Sequence, residues 1–230
     1  MLIFACCGII KQCKMGGSMG IKQNVKLQQE LDNWNNKITK KSLPRWKDLP
    51  EFEVYMDQVI MLMEKYLGEY FEYTEDAVLT PSMINNYVKL KTMPAPEKKK
   101  YSKVHLSYLI IICMLKPVMS IQDIHDIIKY KLTEGDIATV LDWFVDIYES
   151  QFVSFLNNAS ELLKSNEIKA VNDTVTASNL AFRMGIEASV TRNISLTLIN
   201  KVKKENASLS VNKTSKTKDK EKSKNRDNKQ

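Results

Sequence analysis

Seven glycines and six prolines in 230 residues leave few places where the chain is obliged to turn, and all six prolines lie between Pro44 and Pro117. Everything after Pro117 is free of the residue that most strongly breaks helices. No long alternating run of Val, Ile and Thr occurs, which argues against a real sheet and leaves only Pro96 to Tyr101 as a candidate short hairpin. The chain reads as mainly α. Its four cysteines, Cys6, Cys7, Cys13 and Cys113, have no spacing that supplies four metal ligands or a disulfide framework. Cys113 sits in the run LIIICML as a small buried hydrophobe, and a reducing cytoplasm fits this usage. The two histidines, His105 and His125, fall on separate helices without an organised carboxylate or cysteine partner. No nucleophile, acid–base pair or phosphate-cradling glycine loop is present, so no enzyme activity, cofactor or metal is expected. The acidic segment from Gly68 to Asp76 lacks the spacing and turn glycine of a calcium loop and reads as solvated. MLIFACCGII is too short to span a bilayer and has no basic stretch before it, so no membrane association is expected. Met15 and Met19 follow closely, and residues 1–20 are read as a leader with a misassigned start.

What is present is charge, unevenly placed. The net +7 divides into +6 over residues 1–48 (nine basic, three acidic), −4 over 49–205 (17 basic, 21 acidic) and +5 over 206–230 (eight basic, three acidic). Within the acidic middle, Lys89, Lys91, Lys98, Lys99, Lys100 and Lys103 stand against Glu97 alone, which is the form of a localised nucleic-acid footprint. The stretch TPSMINNYVKLKTMPAPEKKKYSK carries them. Thr80 suits an N-cap and Pro81 the first helical position, where the missing N–H costs nothing. Helical spacing turns Ile84, Tyr87 and Val88 inward and leaves Ser82, Asn85, Asn86 and Lys89 facing out. Met93, Pro94, Ala95 and Pro96 end the helix in an extended turn, three adjacent lysines follow, and Ser102 caps another helix. Asn pairs bidentately with adenine and Lys with guanine, while clustered lysines neutralise phosphates. A solvated helix and a charged loop would carry the same residue types, so it is the order of the parts that argues for contact with DNA.

That order resembles the second half of a MerR-type winged helix-turn-helix over residues 80–132. The helix SMINNYVKL, the turn MPAP, the wing EKKKYS and the helices VHLSYLIIICMLK and SIQDIHDII come in the family's sequence. Tyr87 falls where that family has a recognition-helix tyrosine, Tyr101 and Ser102 where its wing closes, and Lys99 where it usually has a wing arginine. The family's recognition-helix arginine is replaced by Asn85 and its neighbouring aromatic by Asn86, so its contacts do not transfer directly. The words LPRW, YMDQVI, TPSMINNYVKLK and KKKYS, within residues 43–135, are also similar to an uncharacterised bacterial family known as a domain of unknown function. These resemblances imply a MerR-like fold and a bacterial origin, with no activity attached.

Residues 21–42 form an amphipathic helix in which Leu27, Leu31, Trp34 and Ile38 recur on one face, suited to docking on the body. Leu43 to Trp46 reads as an extended linker pinned by Trp46, and Phe52 to Phe71 as the first helix of the helix-turn-helix, within a domain spanning 43–132. Residues 133–205 predict a long helical hairpin, its apolar stripe running through Ile137, Leu141, Phe144, Tyr148, Phe155 and Leu162. The hairpin either dimerises through 136–203 or seals the same domain as a bundle. Residues 206–230 lack apolar periodicity and predict a disordered basic tail. The expectation is a cytoplasmic, homodimeric, double-stranded-DNA-binding regulator, contacting DNA through Ser82, Asn85, Asn86, Tyr87, Lys89, Lys91, Lys98, Lys99, Lys100 and Lys103. The alternative is a helical protein-interaction adaptor that has lost DNA contact.

Overall fold

A computed structural model describes residues 20–40, 42–72, 77–164 and 173–227, with 20–25, 39, 173 and 206–227 given by backbone alone. In the described residues seven α-helices follow one another: α1 Gly20–Lys40, α2 Met56–Leu67, α3 Pro81–Lys89, α4 Lys103–Leu115, α5 Ile121–Lys131, α6 Ile137–Lys164 and α7 Asp173–Asp227. Pairing between extended segments is limited there to the isolated bridges Val54 to Tyr101 and Glu97 to Lys100. The expected mainly α fold is therefore found. The leader with Cys6, Cys7 and Cys13 lies outside the described residues.

Helix α4 is the axle. KVHLSYLIIICML is apolar nearly all round, and each residue from His105 to Cys113 is buried. Around it pack Val59, Met63 and Leu67 of α2, Ile84 and Tyr87 of α3, Ile124 and Ile128 of α5, and Ile137, Val140, Leu141 and Val145 of α6. This is one continuous core, and the first half of the predicted hairpin helix belongs to it. Helix α5 opens on a reciprocal cap in which Asp123 N–H donates to Ser120 Oγ at 3.1 Å and that hydroxyl donates to the Asp123 carboxylate at 2.6 Å.

The approach to α2 is held by α6. Arg45 spans Asp146 at 2.7 Å and Glu149 at 3.1 Å, and Trp46 N–H donates to Asp142 at 2.8 Å. Those carboxylates recur on successive turns of one helix face, so the linker lies along α6 rather than spanning free space.

Farther along, α6 leaves the main core. Ala159 and Leu163 bury against Leu180 of α7, with Leu27 and Leu31 of α1 beside them, and Trp34 tilts onto Phe152 at 5.0 Å between ring centres. Helix α7 also folds back on α5, where Lys203 meets Asp123 at 2.7 Å and Asp126 at 3.4 Å, while Arg192 Nε donates to the Val118 carbonyl at 2.9 Å. The hairpin thus closes a bundle within its own chain. Its outer side still exposes Phe182, Ile186, Val190, Ile194 and Leu198. The backbone of α7 continues as helix to Asp227, across the segment whose composition predicts disorder. That segment contains neither Gly nor Pro to stop a helix already begun.

Candidate nucleic-acid interface

The cap predicted for α3 forms. Thr80 Oγ1 accepts the Met83 N–H at 3.3 Å and Pro81 occupies the first turn. Ile84 and Tyr87 sink into the core and turn Ser82, Asn85, Asn86 and Lys89 to solvent. Tyr87, included among the contact residues on its sequence position, is only 2% exposed and packs in the core. Its hydroxyl has no hydrogen-bond partner among the described residues, and burial pushes its ionisation upward.

The helix closes through paired bonds from Lys91 N–H to the Val88 carbonyl at 3.0 Å and from Thr92 N–H to the Tyr87 carbonyl at 2.9 Å. This closure needs a left-handed residue, and Lys91 supplies it at φ 57 where glycine is usual. The chain then runs through Pro94 and Ala95 to a tight turn. Lys100 N–H donates to the Glu97 carbonyl at 2.8 Å, and the two residues between, Lys98 and Lys99, sit at φ 48 and φ 64. Paired positive φ values are those of hairpin turns that favour Asn-Gly, so two lysines hold a conformation that other residues adopt more readily.

The base of this turn is stapled from both sides. Val54 and Tyr101 exchange backbone hydrogen bonds of 2.9 and 2.8 Å. Lys100, half-buried, lies 4.0 Å from Glu53 and 5.9 Å from the Tyr55 ring centre. Lys103 pairs with Glu51 and stands 4.9 Å over the Trp46 ring, its side chain only 11% exposed. Lys103 is therefore an anchor, although its place in the basic run suggested a phosphate contact. Behind the turn, His105 Nδ1 accepts the Ser102 N–H at 3.0 Å, and its other nitrogen reaches the Ala95 carbonyl at 3.3 Å. Those two contacts make Nε2 the protonated nitrogen. The histidine ties the proline turn to the start of α4. The Ser102 to His105 spacing hints at such a cap, but sequence reasoning missed the reach to Ala95.

Of the ten residues predicted, Ser82, Asn85, Asn86, Lys89, Lys91, Lys98 and Lys99 are thus exposed, Lys100 is intermediate, and Tyr87 and Lys103 are structural. Lys89, Lys91, Lys98 and Lys99 make no ion pair among the described residues. The LPRW, YMDQVI, TPSMINNYVKLK and KKKYS segments all converge on one core around α4.

Residues 44–143 contain a DUF1836 domain, a domain of unknown function. The match begins within the linker that Arg45 fixes to α6 and ends inside α6 at Trp143. The DUF1836 domain therefore takes in the whole α2 to α5 arrangement, the exposed face of α3 and the lysine turn, whereas α1, the rest of α6 and α7 lie outside it. No curated protein and no solved structure matches the chain. Among the described residues, no three ligating side chains cluster as a metal site, and no helix is long and apolar enough to cross a membrane.

Proposed function

We propose that this chain is a cytoplasmic, sequence-specific regulator that binds double-stranded DNA as a homodimer. Helix α3 enters the major groove with Ser82, Asn85, Asn86 and Lys89 toward base edges, and Lys98 and Lys99 meet flanking phosphates. The helix, turn, tight hairpin and two following helices are then a MerR-like winged helix-turn-helix. One observation carries this reading: four exposed lysines without ion-pair partners flank a polar amide face, and two of them form the tip of a left-handed turn. Strained backbone of this kind persists where a site needs its side chains held in place.

The second copy fits on α7. Phe182, Ile186, Val190, Ile194 and Leu198 are spaced four apart and all more than half exposed, which makes them one ridge of the helix surface. Beside that ridge run Ala181, Gly185 and Ser189, and a side chain added at Gly185 would meet nothing within 4 Å among the described residues. A two-fold axis near Val190 lets the ridge of each copy enter the groove of the other, crossing at about −50°. Five such side chains contribute on the order of 100 Å² each, so the pair reaches roughly the 1,000 Å² that a specific interface needs.

The test is binding to bulk genomic DNA across salt concentrations. Changing Lys98 and Lys99 to alanine weakens binding to all sequences and flattens its salt dependence, whereas Asn85→Ala alters site preference. If both variants bind every duplex as the parent does, the assignment is wrong. A helical adaptor is the second reading, favoured by Asn85 in the place of the arginine that MerR-type recognition helices carry. Salt-insensitive or absent DNA binding would select it.

A further inference from the structure

A cavity of about 460 Å³ opens where the end of α3 faces α4 and α5. Its volume is that of a pocket for a small molecule. Buried Met93, Tyr108 and Ile128, with half-buried Val88, give it an apolar floor. Exposed Lys91 and Lys129 stand on its wall with His125, and among the described residues no acidic side chain lines it. The lining also includes Thr92, which is 2% exposed and carries a hydroxyl with no hydrogen-bond partner among the described residues. An unpaired buried hydroxyl is unfavourable and calls for an explanation.

Apolar floor and cationic wall select for opposite ends of one molecule. A bare phosphate would gain nothing from Met93, Tyr108 and Ile128, and an uncharged hydrocarbon nothing from the lysines. Lys91 stands at the cavity because the closure of α3 holds its backbone at φ 57, so its placement is built into the fold. We propose that this cavity binds a small organic carboxylate with an aromatic or branched apolar body, its charge held between Lys91 and Lys129. This inference shares Lys91 with the DNA reading but does not rest on it, since the cavity and its test need no duplex.

Amide NMR on the full chain tests it with three probes: 2-naphthoate, the cationic 2-naphthylmethylammonium of similar body, and inorganic phosphate. Naphthoate shifts the amides of residues 88–95 and 125–129 and saturates at about millimolar concentration, as its size allows. The other two bind at least about tenfold more weakly. The double change Lys91→Gly and Lys129→Gln weakens naphthoate by about tenfold without loss of thermal stability, because glycine suits the left-handed position. Lys129→Gln alone, at an exposed site, gives a smaller loss in the same direction. Equal binding of the cation, equal shifts with phosphate, shifts that map elsewhere, or unchanged affinity in both variants would each overturn the proposal.

Discussion

A lysine at positive φ crowds its Cβ against the following carbonyl, at a cost of roughly 1–2 kcal/mol. Lys98 and Lys99 accept this at adjacent positions. Replacing the pair by Asn-Gly, through Lys98→Asn with Lys99→Gly, keeps the turn and removes most of that cost. The unfolding midpoint should rise, by the equivalent of about 1–2 kcal/mol, while affinity for bulk DNA falls. Opposite signs distinguish a functional lysine pair from an incidental one, and a variant that gains stability without losing affinity would contradict the assignment. Cys113 behaves differently. Burial in α4 pushes its thiol up to about 12, so it should resist thiol reagents at pH 8 until the protein unfolds. Labelling mapped to the Cys113 peptide rather than to Cys6, Cys7 or Cys13, at full fold followed by near-UV circular dichroism, would disprove that placement.

Elements are held by contacts at two ranges, and only one range is legible in sequence. Thr80 with Pro81, and Ser120 with Asp123, make their caps within four residues, so spacing alone announces them. Lys103 finds Glu51 across 52 positions, and Arg45 finds Asp146 across 101, which no periodicity encodes. This is why Lys103 reads as a phosphate contact in the sequence and is an anchor in the fold. The lysine turn is an intermediate case: Pro96 to Tyr101 is readable as a hairpin, but its left-handed lysines contradict the usual turn chemistry. His105 joins both ranges, capping Ser102 locally and bonding Ala95 across the turn. His105→Ala leaves a helix-cap N–H and a carbonyl without partners, and should lower stability by about 1–3 kcal/mol. Amide exchange should quicken over residues 93–102, and unchanged exchange there would show that the histidine is not the clamp.

Across the whole molecule, the DUF1836 domain and the flanking helices form a bundle joined by α6, whose first half packs on α4 and whose second half carries α1 and α7. The sequence left dimerisation and internal sealing open for residues 136–203 because an apolar stripe does not say what covers it. The fold uses the inner sides of α6 and α7 for sealing and leaves the Phe182 to Leu198 ridge outside. If the proposed homodimer forms through that ridge, Val190→Arg should produce a monomer in sedimentation without a change in helicity, and an unaltered mass would exclude that ridge as the contact.

The α5 to α7 clamp should also depend on pH. Lys203, with Ser120, holds the Asp123 carboxyl below the ordinary aspartate value, and Asp123 in turn raises the Lys203 ammonium above the ordinary lysine value. The depressed Asp123 contributes above its unfolded pKa and loses its effect as pH falls through the folded one. The raised Lys203 contributes below its unfolded pKa and loses its effect as pH rises through the folded one. Lys203→Met should thus lower the midpoint between about pH 4 and 10, and progressively less beyond either end.

The most direct test of DNA binding is the slope of log affinity against log salt concentration for a duplex, measured with protein ending at Glu205 so that the basic tail is absent. The parent should show a steep negative slope, shallower by about two in the variant carrying Lys98→Asn and Lys99→Gly. A parent that binds no duplex in a salt-dependent way, or a variant with an unchanged slope, would contradict the assignment of α3 and the lysine turn to DNA.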